Sequence, residues 1–231
     1  MTPMLVAFDP SLRASALVAL TLDGVLTPLL ASALPTKPSV KRDDYFLNRQ
    51  IDDLKRARRV NRWAALSLRG LDRFEGYYVA AIAMESPSGI PTSFKRPKSG
   101  EPPKPKGWRP PQDATAFGKL VRSGQAIYDA AAEVFPDMSP VLVSTYAAKE
   151  AATGSAKPKG KKREVQLAVE RLFGALALQE LLVGVEGGAD GVEGVCDALA
   201  VALGSLGSVP VRAAMEEFRR AEVARKAREG L

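Results

Sequence analysis

The run Met4-Leu5-Val6-Ala7-Phe8-Asp9-Pro10 decides the reading of the fold. A short apolar stretch that ends on an acid has the pattern of a buried strand delivering a charge to a sheet end. Ala16 to Leu22 is a second β-rich run, Asp23-Gly24 is a hairpin turn signal, and Val25 to Leu34 returns. Pro35, Pro38 and Ser39 then punctuate the chain. The opening is therefore strand, strand, turn, strand.

Working outward, residues 43–75 read as one long helix. Asp43 and Asp44 suit its positive N-terminal end, and Gly76 is a stop signal. Ile51, Leu54, Arg58, Ala65 and Leu68 fall near helical spacing, while Arg49, Lys55, Arg56, Arg59, Arg62 and Arg73 occupy the other face. That basic face reads either as solvated or as a surface touching phosphate. Tyr77 to Met84 is a buried-strand run, with Glu85 at its end. Between Ser86 and Gln112 the composition changes, for eight of the chain's 17 prolines lie there. Such a segment excludes a helix or an inner strand. Its Lys95, Arg96, Lys98, Lys104, Lys106 and Arg109 are opposed only by Glu101, and Phe94 and Trp108 are apolar side chains within it.

Asp113 suits the cap of a helix from 114 to 134. Pro140 to Thr145 reads as a strand, Ala152 to Gly160 as a lysine-containing loop, and Arg163 to Leu182 as one amphipathic helix. A break at Gly184 to Gly188 precedes a helix from Asp190 to about Leu206, and Pro210 opens a last one. Strands alternating with helices imply an α/β fold, a mixed sheet with a layer of helices. The expected division is a nuclease-sized domain over residues 1–206, containing the 86–112 loop, and a helical extension over 207–231.

Composition bounds the chemistry. At 231 residues and 24.7 kDa the chain can bury a substantial core. No apolar run reaches the roughly 18 residues that span a bilayer, and no secretion signal is evident, so no membrane partner and a cytoplasmic location are expected. There is no histidine, and Cys196 is the only cysteine. Histidine triads, zinc fingers and an intramolecular disulfide are thereby excluded. A divalent cation held by side-chain anions must sit on Asp and Glu oxygens, which favours Mg²⁺ or Mn²⁺. A net charge of +7 and a pI near 9.6 point to a polyanionic partner.

Three acids stand where this topology would gather them: Asp9 and Glu85 at strand ends, and Asp197 within the otherwise apolar run Cys196 to Leu203. A charge in such a run is costly unless it is paired or holds a metal. Each also has a plain structural reading: Asp9 before Pro10 as a turn residue, Glu85 as a surface acid, Asp197 as the polar member of an amphipathic helix. Two cations about 4 Å apart on such a set would activate water and stabilise the leaving oxygen in phosphodiester hydrolysis.

These residues carry a resemblance. Ala7-Phe8-Asp9-Pro10-Ser11-Leu12-Arg13, Ala83-Met84-Glu85-Ser86-Pro87 and Asp197-Ala198-Leu199-Ala200-Val201-Ala202 resemble, in order, the three acidic motifs of the RuvC family of Holliday junction resolvases. The stretches Tyr146 to Lys149, Thr153 to Lys157 and Lys162 to Val165 resemble that family's lysine-bearing segment. The likeness covers roughly residues 4 to 206 and implies the retroviral-integrase-like RNase H fold, with an antiparallel three-strand start followed by parallel strands. It also implies a metal-dependent endonuclease cutting four-way and other branched DNA by paired nicks that leave 5′-phosphates, from a homodimer with about two Mg²⁺, or Mn²⁺ in substitution, at each site. A helicase partner is left unidentified.

The implied ligands are Asp9, Glu85, Asp197 and a fourth acid. The family places that acid, or a His, three positions before the last Asp, where this chain has Gly194. Glu193 is the first choice and Asp190 the second, since offsets of four and seven share one side of a helix. The same pair also suits a capping box. Lys149, Lys157 and Lys162 are the implied phosphate contacts, with Arg13, Lys95 and Arg96. Phe94 or Trp108 would wedge an opened base step, although core anchoring suits Trp108 as well. The helix at 114–134 would carry the dimer interface through Ile127, Ala130, Ala131 and Val134. The longer helix, loop and tail suggest a divergent branch, including one encoded by a bacteriophage. Two alternatives stay open: a non-catalytic branched-DNA-binding module, and another nuclease of this fold acting on RNA–DNA hybrids or as a transposase.

Overall fold

The computed structural model describes the chain except for residues 12, 37, 39–45, 72, 87–111, 158–160 and 230–231. Five strands, β1 (Thr2–Asp9), β2 (Ala14–Thr21), β3 (Pro28–Pro35), β4 (Tyr77–Ser86) and β5 (Val141–Ser144), form one sheet in the order β3-β2-β1-β4-β5. β1 pairs antiparallel with β2, and β2 with β3; β1 and β4 are parallel, as are β4 and β5. The sheet is thus the mixed one expected, with β1 and β2 buried along almost their whole length.

Helices α1 (Phe46–Leu71) and α2 (Gln112–Val134) cover one face. Phe8, Leu17, Ile82 and Met84 point into that layer and meet Val60, Ala64, Leu68 and Ile127. The other face carries α3 (Thr145–Thr153), α4 (Lys161–Phe173), α5 (Ala175–Leu182) and, at its centre, α6 (Gly188–Ser205). There Leu5, Ala7, Val18, Ala83 and Val143 meet Val195, Ala198, Leu199 and Ala202. The period-two alternation of each strand supplies both layers at once. Helix α7 (Val209–Glu229) begins by burying Val211 and Ala214 in the core under α6. No single helix among the described residues is long and apolar enough to cross a membrane.

Several local expectations are corrected. Ile51 and Leu54 are 42% and 53% exposed, whereas Arg56 is only 4% exposed. The inward stripe of α1 runs instead through Asp53, Arg56, Val60, Ala64 and Leu68. Arg56 is accommodated there because Asp53 pairs with it at 3.3 Å and its Nη2 donates to the Thr36 carbonyl at 2.9 Å. Burial still pushes its guanidinium down, with Asp53 and Asp52 pulling the other way. Ile127, Ala130 and Ala131 are fully buried inside the chain, with Val134 packed against them, so they cannot form a subunit interface. The strand expected over 140–145 stops at Ser144, and helix α3 follows and takes in Ala152 and Thr153, the first two residues expected as loop: the Ser144 side chain caps it by accepting from the Ala147 amide, and Gly154 ends it at φ 74°. The single helix expected over 163–182 is two, broken at Gly174 with φ 87°. Finally, α6 starts at Gly188 behind a Gly187 cap, so Asp190 lies in its first turn and is not the first member of a capping box.

Candidate active site

β1 and β4 keep register through Ala7↔Ala83 and Phe8↔Met84, so Asp9 and Glu85 are the next residues along two neighbouring strands, which run about 5 Å apart. Ala7 and Ala83 face α6, and strand alternation turns Asp9 and Glu85 the same way. Both acids stand at the carboxyl ends of parallel strands, where open α/β sheets leave a crevice. The turn after Asp9 is tied down by Ser15, whose buried hydroxyl donates to the Ser11 carbonyl at 2.5 Å and accepts from the Ser11 amide at 3.1 Å.

Glu85 pairs across the sheet with Val143, so β5 ends beside it and hands over at once to α3. The first residue of that helix, Thr145, donates its hydroxyl to Glu85 Oε1. One turn later Lys149 reaches the same place. A pocket of about 80 Å³ is lined by Glu85, Thr145 and Lys149, by Asp197 from α6, and by Val165 and Val201 among its apolar walls. Asp197 is half-buried, at a helix otherwise committed to the core.

Asp9 is buried one strand over. Its Oδ2 lies 3.6 Å from where a Cβ on Gly194 would stand, one turn before Asp197. That Cβ would also lie 3.0 Å from the Ala16 Cβ and 3.2 Å from the Ala14 carbonyl. Residue 194 is thus held against β2 at a distance that suits glycine, and it fills the wall beside Asp9. Glu193 is half-buried on the turn preceding Asp197, whereas Asp190 is exposed. Cys196, next to Asp197 in the chain, is buried; its thiol is pushed up to about 12 by burial, with Asp197, Glu193 and Glu170 adding to the effect.

The donor set is all hard oxygen, with an ammonium beside it, and this chemistry fits Mg²⁺ or Mn²⁺ and a phosphate. As the side chains stand, no three acids among the described residues close on one point. Lys157 is exposed beyond α3 and does not line the pocket, and Arg13 is exposed in the turn between β1 and β2. Phe94, Lys95, Arg96 and Trp108 lie outside the described residues, as does the Lys162 side chain. Thr145 went unnoticed in the sequence: a lone threonine gives no signal until β5 is known to end beside Glu85.

No family model and no curated protein sequence matches the chain. Solved structures do. The RuvC structure from Thermus thermophilus is 19% identical, with a TM-score of 0.50 over 87% of this chain and 92% of that one. RuvC of T. thermophilus in complex with a Holliday junction substrate follows at 17% identity and a TM-score of 0.47, covering 87% and 90%. A yeast mitochondrial Holliday junction resolvase is 11% identical, with a TM-score of 0.49, covering 94% and 81%. At such identities the first of these speaks for the fold: this chain has the RNase H-like architecture of RuvC.

Proposed function

We propose that the chain is a structure-selective, divalent-cation-dependent endonuclease that resolves four-way DNA junctions, working as a homodimer whose paired nicks leave 5′-phosphates. One observation carries the reading. Strand register turns Asp9 and Glu85 toward α6 at one end of the sheet, and Glu85 shares a pocket with Asp197 and Lys149. Glu85 and Asp197, from two of the three stretches that resemble the resolvase motifs, line one pocket, and the architecture is that of a RuvC structure.

In this reading Glu85 and Asp197 would hold the cation, with Asp9 from the neighbouring strand and Glu193 completing the set. Mg²⁺ or Mn²⁺, expected as a pair, supplies Lewis-acid stabilisation of the phosphate and of the departing 3′ oxygen. Thr145 fixes the Glu85 carboxylate by donating to one oxygen, leaving the other available. Lys149 offers three donors to a phosphate oxygen at the pocket mouth, and Lys157 and Lys162 extend the backbone contact. The apolar walls lower the local dielectric and strengthen each of these attractions. Paired cuts on a near two-fold substrate call for a two-fold protein. With the inner face of α2 buried, Val121 and Tyr128 are, among the described residues of that helix, the large apolar ones left exposed for such a contact.

The test is nicking of an immobile four-way junction with and without Mg²⁺ or Mn²⁺. Wild type is expected to cut two opposing strands symmetrically. Asp9→Asn and Asp197→Asn should each lower the rate by more than about a hundredfold, since even outer residues of metal sites cost 10- to 100-fold. Near wild-type cutting by either variant would sink the assignment. Binding without cutting would favour a non-catalytic module, and faster cutting of an RNA–DNA hybrid would favour the other nuclease chemistry of this fold. Sedimentation showing only monomer at micromolar concentration would count against the dimer.

A further inference from the structure

Helix α1 turns Asp52 and Asp53 inward and all its cations but Arg56 outward. Asp52 and Asp53 are buried, and Asp53 meets Arg56 at 3.3 Å and Arg122 at 3.5 Å. From Lys55 to Arg62 the chain contains no acid, and Lys55, Arg58, Arg59 and Arg62 are all exposed. Among the described residues none of these four pairs with a carboxylate. Val60 is fully buried and marks the inward direction. At 100° per residue, the four cations occupy the half of the helix turned away from it. Lys55 and Arg62 are about 10 Å apart along the axis, a length over which a duplex presents about six phosphates.

This cationic side lies on the face of the sheet opposite the pocket, because α1 and α2 cover one face and α6 the other. Lys149 at the pocket and the cations of α1 are thus separated by the sheet. We propose that the outer side of α1 is a second nucleic-acid contact, seating another arm of a branched duplex through its phosphates. Its occupant is a polyanion rather than a second copy of this chain: a two-fold self-contact would set the four cations against the same four. The choice of nucleic acid rests on the function proposed above, but the contact does not require the pocket to cut.

The experiment is fluorescence anisotropy on a labelled four-way junction and on a linear duplex of the same arm length, without divalent cation, across a salt series. The variant neutralises Lys55→Gln, Arg58→Gln, Arg59→Gln and Arg62→Gln together. Junction affinity should fall at least about tenfold, and the log–log salt slope should become shallower by about 3 to 4. The preference for junction over duplex should shrink. Lys55→Arg with Arg58→Lys, Arg59→Lys and Arg62→Lys should keep the slope. Should the neutral quadruple variant unfold, Arg58→Gln and Arg62→Gln singly should each take about one from the slope.

Unchanged affinity and slope would overturn the proposal. So would an equal loss in the charge-retaining set, absence of DNA binding by wild type, or a change in sedimentation without a change in DNA affinity. Wild type that binds junctions as predicted but never nicks them would sink the nuclease reading alone.

Discussion

Glu85 owes its position to a residue that is not an acid. The Thr145 hydroxyl donates to it, so the carboxylate enters any cation site already oriented. Thr145→Val keeps the shape and removes the donor. Mn²⁺ binding, followed by calorimetry, and nicking should each weaken by about 10- to 100-fold, with Thr145→Ser restoring both; unaltered Mn²⁺ binding would refute the role. Cys196 illustrates the opposite use of burial. Its thiol, raised to about 12 from 9.0, is protonated and inert at neutral pH. A raised pKa in the fold means that this stabilisation is complete below about pH 9 and is lost as pH climbs from there toward 12. Wild type should therefore lose stability over that window more steeply than Cys196→Ala, as urea unfolding at stepped pH would show. Parallel curves would contradict the assignment.

Among the elements, α6 does the positioning. It lies so close to α3 that a Cβ on Gly204 would sit 2.8 Å from Val143 Cγ1 and 3.1 Å from the Ala148 Cα. Helix α3 carries both Thr145 and Lys149, so the glycine sets how near those groups come to Asp197. Gly204→Ala should cost about 1–3 kcal/mol of stability, measured by urea denaturation, because Val143 or the α3 backbone must move. Nicking should fall along with it; an alanine accommodated without loss would show that the contact is slack. The same closeness explains Gly194. With Ala16 at 3.0 Å from its would-be Cβ, α6 sits where an acid at that position would have to displace β2, and the chain instead carries its nearby acid at Glu193.

At the level of the whole molecule, α7 belongs in its first turns to the core. Val211 is fully buried, Ala214 nearly so, and Tyr78 at the start of β4 is pushed up by burial and by Glu217 from α7. Truncation after Leu206 should cost more than about 2 kcal/mol, the scale of losing buried apolar side chains. Removing only residues 219–231, of which 219–229 are mostly exposed, should cost little. Urea midpoints of the two truncations check this, and equal midpoints would place the boundary elsewhere.

The β-alternation around Asp9 and Glu85 and the hairpin signal at Asp23-Gly24 were enough to establish the mixed sheet and to put Asp9 and Glu85 at strand ends, because period and turn chemistry are local properties. Helix faces and breaks were less legible. Ile51 and Leu54 look like core and Arg56 like surface until Asp53 and the Thr36 carbonyl are seen beside Arg56, and the α2 residues that resembled an interface are consumed by the chain's own second core. Thr145 beside Glu85 and the closeness of α6 to β2 and α3 emerged only from the tertiary structure. These are contacts between residues about 50 or more apart in the chain, and which of two apolar faces turns inward depends on what the rest of the chain brings to meet it.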